Sequence, residues 1–309
     1  MISVIIPTKN NVAILLESIH KLLPFISEEI EVIIVNDGEY FEFPKKIKFK
    51  ITFLDNKNRG VSNARNYGAA MAKGNILFFI DDDMWVNFEA FNEINRLIRN
   101  NLLETNVYIL NWVYPKELIK NLQKSKLGRY LIKTKYHTAL GRMHITDEDE
   151  KIIQINGIGS GSMVISKNLF LEIGGYNENI NFQGEDIEFS NKLKKNRVNI
   201  FFDMNVCLEH NQAHRLNIYK YLERLENGYK SEFMAIRNDL IRDNHLYQSR
   251  FKYILYIALI PFENWLLTFF KLLPNKPFFD SISFKAINLL SGLQLIKNLR
   301  HHFKILNQA

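Results

Sequence analysis

Apolar runs and helical spacings alternate through the first hundred residues. Ser3–Pro7 is apolar and β-branched, and Ile30–Asn36 repeats that texture until Asp37-Gly38 stops it. Ile47–Leu54 mixes polar and apolar positions, and Ile76–Ile80 is an uninterrupted apolar run behind Gly74. These four segments read as strands. Between them, Asn11–Leu23 places Val12, Leu15, Leu16, Ile19 and Leu22–Leu23 at helical spacing, and Ser62–Lys73 is an alanine-rich helix. Strands alternating with helices predict an α/β fold with a mostly parallel sheet flanked by helices.

The middle of the chain is less regular. Val107–Trp112 predicts a strand, and basic Lys116–Lys135 predicts helix or loop. Asp147-Glu148-Asp149-Glu150 is an acidic run of the kind found in solvated turns. Order returns after Gly157-Ile158-Gly159-Ser160-Gly161-Ser162 with a strand at Met163–Ile165, a helix at Ile187–Lys195 and a strand at Val198–Phe202. Beyond Ile218 the pattern becomes helical. Ile218, Tyr221, Leu222, Leu225, Tyr229, Phe233, Ile236 and Leu240 mark one long amphipathic helix, and Ser281–Leu306 marks another. Phe251–Leu273 is apolar and aromatic but is interrupted by Pro261, Glu263 and Asn264. Its longest charge-free run, Tyr253–Phe262, falls short of the about 20 apolar residues that a bilayer span needs. The texture divides the chain into residues 1–215 and a helical C-terminal extension, 216–309.

Composition narrows the class. A chain of 309 residues with 47% hydrophobic content can bury a sizeable core. Its single cysteine, Cys207, rules out an internal disulfide framework and suits a reducing, cytoplasmic compartment. The opening Met1-Ile2-Ser3-Val4 runs straight into a strand, without a basic leader. The net charge is +7, and seven basic residues against Glu263 and Asp280 put most of that excess in 251–309. No nucleic-acid-binding motif accompanies it, so no nucleic acid partner is expected. Its apolar company suits an anionic membrane surface at the cytoplasmic face. Packing against the first domain or an oligomeric partner is the alternative.

Asp81-Asp82-Asp83 is the strongest chemical signal. Three adjacent carboxylates at the end of a buried strand repel one another, and a hard divalent cation such as Mg2+ or Mn2+ resolves that conflict. An acidic turn capping the helix from Asn87 is the competing explanation. Asp37 ends the second strand, where a carboxylate can accept a pyrimidine imide N–H or simply shape an Asp-Gly turn. Gly60-Val61-Ser62-Asn63-Ala64-Arg65-Asn66 opens a helix whose N-terminus suits an anion, with Arg65 in reach of a diphosphate. Ser62 as an N-cap with a surface arginine explains the same residues. Gly184-Glu185-Asp186 supplies further carboxylates fit for general-base work or for capping. His210 follows as a metal or phosphate ligand, or as a structural histidine.

Taken in order, these motifs resemble the family 2 glycosyltransferases of the GT-A fold. The resemblance covers roughly Ile2 to His214. It is carried by Ser3-Val4-Ile5-Ile6-Pro7-Thr8, Val35-Asn36-Asp37-Gly38, Gly60 to Asn66, Asp81-Asp82-Asp83, Gly174-Gly175-Tyr176-Asn177-Glu178 and Gly184-Glu185-Asp186. The chain departs from the family pattern at Asn36, where aspartate is usual, and at Glu39, where serine is usual. The resemblance implies a Rossmann-like GT-A domain and inverting transfer from a nucleotide-sugar, a UDP-sugar above all, to a glycan or lipid-linked acceptor. Pro7, Thr8, Asp37, Arg65, Asp81 and Asp82 would contact the donor. Asp83, Asp81 and His210 would hold Mn2+ or Mg2+. Asp186 would be the base and Glu185 the acceptor-orienting group, or the reverse. Two other classes remain open. A nucleotidyltransferase would need a glycine-rich phosphate loop after the first strand, and Pro7-Thr8-Lys9-Asn10 does not provide one. A non-catalytic carbohydrate-binding protein would not need Asp81, Asp83 and Asp186 together.

Overall fold

A computed structural model describes residues 1–44, 51–146, 150–180, 184–237 and 250–306. Ile47, the acidic residues 147–149 and Leu240 therefore lie outside the described residues. The chain divides into two compact units, Met1–Tyr114 with Thr138–Asn211, and Pro115–His137 with Gln212–Ala309.

The first unit is built on a nine-stranded sheet: β1 Ile2–Thr8, β2 Ile30–Asn36, β3 Ile51–Asp55, β4 Ile76–Ile80, β5 Met84–Trp85, β6 Asn106–Val113, β7 Ile152–Ile155, β8 Ser162–Ser166 and β9 Asn199–His210. The order is β3-β2-β1-β4-β8-β6-β9-β5, with β7 also on β9. The β3-β2-β1-β4 half is parallel, as the alternating pattern predicts. The other half is mixed, because β8 runs against both β4 and β6 while β6 and β9 are parallel. β1 and β4 are buried along their whole lengths, which accounts for apolar runs without polar alternation.

Neighbouring side chains on β4 serve opposite faces. Phe78 meets Phe91 of the helix Phe88–Arg99, with ring centroids 6.4 Å apart. Phe79 meets Phe170 at 5.2 Å and Tyr176 at 6.1 Å. The helix Val61–Met71 packs on β1 and β2 through Gly68, where an added Cβ would lie 2.5 Å from Ile5 Cγ2. Only the missing side chain lets helix and sheet approach so closely.

The second unit corrects the domain expectation. The segment 116–135 was grouped with the first region, yet it forms the helices Lys116–Leu122 and Lys126–Lys133 and belongs with the C-terminal helices. The chain leaves the sheet after Val113 and returns at Thr138, and those two residues form a bridge. The reason lies in polar contacts that sequence periodicity does not reveal. Lys126 is buried, and its Nζ donates to the carbonyls of Phe270 and Leu273, both at 2.5 Å. It thus satisfies the open C-terminus of the helix Glu263–Leu272. Arg129 grips Asp280 in a fork of contacts between 2.7 and 3.0 Å. Asp280 opens the final helix, Asp280–Leu306, where a carboxylate also favours the helix dipole.

A second correction concerns Phe251–Leu273. Pro261 does not break the helical path. It sits at the start of a single 3-10 turn, Ile260–Phe262, where its missing N–H is not needed. The helix is therefore continuous from Tyr253 to Leu272, and its 20 residues are long and apolar enough to cross a membrane by length and composition.

Replacing Lys126 with methionine keeps the buried stem but leaves those carbonyls without their cation. Urea unfolding should show a loss of about 1–3 kcal/mol. Wild-type stability in the variant would mean that water serves the helix terminus equally well.

Candidate active site

Strand pairing brings the first carboxylates to His210. After β4 the chain turns sharply, with Met84 N donating to Asp81 O at 3.1 Å. Two residues of β5 then pair antiparallel with the end of β9, setting Met84 opposite His210. Asn211 N donates to Asp83 O at 2.7 Å. Asp83 is fully buried, and its Oδ1 lies 2.8 Å from His210 Nε2. One potential ligand atom each from Asp81, Asp83 and His210 lies within 4.8 Å of the other two. Two carboxylates and an imidazole form a donor set that fits Mn2+ or Mg2+. The His210 ring is fixed edge-on by Trp112, at 4.6 Å, and Tyr114, at 6.2 Å. Arg142 covers both aromatic rings and donates to Tyr114 Oη at 2.6 Å.

The Gly60–Asn66 motif docks on the glycine-rich turn that precedes Glu185. Ser62 does not cap its helix. It donates to Ile180 O at 2.6 Å. Asn66 donates to Tyr176 O and accepts from Tyr176 N, both at 2.9 Å. Gly175 has φ +56°, and an added Cβ would meet Asn66 Oδ1 at 2.7 Å, so glycine is required twice over. This docking carries Arg65 inward. It is 4% exposed, pairs with Glu185 Oε1 at 3.0 Å and Asp81 Oδ1 at 3.5 Å, and lies 5.3 Å from the Tyr176 ring centre. The arginine expected to reach a diphosphate is engaged by carboxylates instead.

Glu185 and Asp186 open the helix Glu185–Lys195, but their surroundings differ. Glu185 is buried on Arg65, and its Oε2 has no hydrogen-bond partner among the described residues. Asp186 is half-buried and is held by Ser160, whose hydroxyl donates to Oδ1 and whose N–H donates to Oδ2 at 3.3 Å. Ser160 Oγ in turn lies 2.6 Å from the hydroxyl of Tyr176, a buried phenol. Burial, then the neighbouring Glu185 charge, pushes the Asp186 carboxyl up to about 7, although Arg65 and the Ser160 hydrogen bonds pull it down. The next residue ties this group to the first cluster. Gly161 O accepts from Asp81 N at 3.4 Å, and an added Cβ on Gly161 would stand 2.6 Å from Asp81 Oδ2.

The residues expected at the nucleoside lie at the ends of β1 and β2. Pro7 and Thr8 pair with Val35 and Asn36. Thr8 Oγ1 donates to Asp82 Oδ2 at 2.7 Å, so these two expected donor contacts hold each other. Asp37 Oδ1 accepts from Asn56 Nδ2 and Gly60 N, both at 2.7 Å, while Oδ2 lies 3.7 Å from Lys9. Asp37 therefore shapes the loop and at the same time faces the exposed Lys9. The departure at Asn36 has a physical reason. Its amide donates to Asp55 Oδ1 at 2.9 Å, where an aspartate would set two carboxylates against each other.

Ser160, Trp112, Tyr114 and Arg142 drew no individual roles from the sequence, although all four lie within residues 112–160, where acceptor specificity is expected to reside. For Ser160 the signal was present as a Gly-Ser run ahead of a strand. The aromatic pair lay within an ordinary strand pattern, and nothing marked Arg142.

The motifs and geometry agree with comparison to known proteins. Residues 3–154 match the model of glycosyl transferase family 2, which makes that stretch a domain of the family. An uncharacterized glycosyltransferase from Rickettsia bellii is 32% identical over 108 residues, which covers 33% of this chain and 16% of that protein. One from Haemophilus influenzae is 29% identical over 204 residues and covers 62% of each. The chain thus spans less than two thirds of the length of these relatives. The crystal structure of S. aureus TarS shares the fold at 13% identity and a TM-score of 0.50, over 96% of this chain and 54% of that one.

The raised Asp186 carboxyl has a consequence for stability. An unfolded aspartate ionises near 4 and the folded one near 7, so between those values only the unfolded chain releases the proton. Stability from this group is full below about pH 4 and is lost as pH rises towards 7. Thermal unfolding of Asp186→Asn should show it gaining on wild type across that window. A difference independent of pH would place the Asp186 carboxyl at its ordinary value.

Proposed function

We propose that this chain is an inverting, cation-dependent glycosyltransferase that moves a sugar from a UDP-sugar to a hydroxyl of a glycan or lipid-linked acceptor. The observation that carries this reading is the Ser160-Gly161 pair. It binds Asp186 on one side and Asp81 on the other, setting a basic carboxylate beside a cation-binding cluster within a family 2 domain.

Asp81, Asp83 and His210 would hold Mn2+ or Mg2+, which when bound supplies positive charge to offset the negative charge of the leaving diphosphate. Asp37 Oδ2 suits the imide N–H of uracil, with Oδ1 already fixed by Asn56 and Gly60. Asp186 takes the acceptor hydroxyl's proton as that oxygen bonds to the anomeric carbon. The nucleoside diphosphate departs from the opposite face with the electron pair of the broken bond, and the configuration inverts. A carboxyl near 7 suits this work, because a base is most effective when its pKa lies close to the working pH. Ser160 orients the base, and Arg65 partly offsets the charge of Glu185 and Asp81 beside it.

Nucleotide binding tests the donor half. UDP with Mn2+ should bind wild type in calorimetric titration, GDP should bind more weakly, and Asp83→Ala should lose the Mn2+-dependent part. Unchanged affinity in Asp83→Ala would remove this residue from the cation site.

The chemical half is tested by rate. Asp186→Asn should retain UDP-sugar binding and lose transfer by about 100-fold or more. The wild-type rate should rise with pH through about 7, since only the ionised carboxylate accepts a proton. Glu185→Gln removes a neighbouring negative charge and should move that limb to lower pH, while Ser160→Ala removes stabilising hydrogen bonds and should move it higher. Near-normal transfer by Asp186→Asn would pass the role of base to Glu185.

A further inference from the structure

The second unit presents an apolar stripe that its own packing does not use. The segment Tyr253–Leu272 has two faces. Tyr253, Tyr256, Ile257 and Ile260 pack on the buried cluster of Phe233, Ile296 and Leu299, and Leu266 and Phe270 are buried further along. On the other face, Ile254, Phe262, Trp265 and Leu272 are 66%, 56%, 63% and 78% exposed. Their spacing keeps them on one side of the helix for about 27 Å. Trp265 stacks on Phe269, with ring centroids 5.6 Å apart. Phe278, 89% exposed, and Ile282, 47% exposed, follow this segment. An exposed run of large apolar side chains of this length needs a partner.

Charge selects the partner. Glu263 and Asp280 are the only acidic residues after position 250. Both are neutralised internally, Glu263 by Lys297 at 2.9 Å and Asp280 by Arg129 at 2.7 Å. Lys271, which also rests 4.6 Å above the Tyr219 ring, and Lys276 are exposed beside the stripe. Aromatic and aliphatic side chains accompanied by lysines without an ion pair among the described residues match the boundary of an anionic bilayer. We infer that the Tyr253–Ile282 face of this chain is a seat for an anionic lipid surface, and that the helix lies in the interface rather than crossing it. The ion pair is the reason that it does not cross. Glu263 stands at the middle of the apolar segment, and its bonds to Gln294 and Lys297 tie that midpoint to a second, lysine-bearing helix. Crossing would draw this ion pair into hydrocarbon.

The test uses the full chain, purified, with vesicles of pure phosphatidylcholine or with phosphatidylglycerol added. Flotation should be about tenfold or more stronger on the anionic vesicles and should weaken at high salt. Trp265→Ser/Leu272→Ser should lose flotation at unchanged melting temperature, since both side chains are exposed. Lys271→Glu/Lys276→Glu should lose the preference for anionic vesicles. An alkaline carbonate wash should release the protein. Flotation that is absent, or undiminished in the apolar variant, overturns the seat, and wash-resistant protein overturns the interfacial placement. A dimer in vesicle-free light scattering that the apolar variant dissociates would assign the stripe to a second copy and equally overturn it.

Discussion

The arrangement of the candidate site turns on the repulsion between carboxylates. Asp81, Asp83, Glu185 and Asp186 converge from two distant parts of the chain, and burial strengthens every repulsion among them. Arg65 is the protein's own answer. Its guanidinium, 4% exposed, spans Glu185 and Asp81 and thereby ties the helix Glu185–Lys195 to the end of β4. One positive charge cannot neutralise four negative ones. Burial, and after it the charge of Glu185, drives Asp186 up to about 7, while Asp81 and Asp83 stand with His210 in a set that suits a cation.

The backbone makes this arrangement specific. Two residues of β5 suffice to bring His210 to Asp83, because β9 extends for twelve residues alongside β6. The pairing shifts register after Leu110, where Asp203 gives way to Cys207 as the partner of the next residue. This irregularity absorbs residues 204–206 and lets the strand reach the site. On the other side, the side-chain amides of Asn63 and Asn66 grip the backbone of 176–178 and fix the approach of Glu185.

The sheet's parallel half was legible because both faces of β1 and β4 are buried, leaving plain apolar runs in the sequence. The carboxylates were legible as motifs. Their relations were not. Arg65 reads as an anion ligand at a helix start, and only the fold reveals its pairing with Glu185, 120 positions away. β9 was read as ending at Phe202, since Asp203 and Asn205 interrupt the apolar pattern at the register shift. The segment 116–135 carries no sign that its lysine and arginine cap helices 130 and more residues downstream. Periodicity reports which side is buried. It does not report which polar group completes which.

Glu185 and Asp186 show why neighbouring residues of one type need not share a role. Both lie in the first turn of the same helix, and both gain from its dipole. Glu185 gives one oxygen to Arg65 and is 7% exposed, so it is a buried carboxylate already paired with a guanidinium. Asp186 is half-buried, oriented by Ser160 from one side, and raised in part by Glu185 itself. Such a carboxylate holds a proton more readily than an ordinary aspartate and can still be approached. The pair therefore divides the work of one acidic turn: Glu185 secures the arginine and supplies charge, and that charge is part of what raises the Asp186 carboxyl.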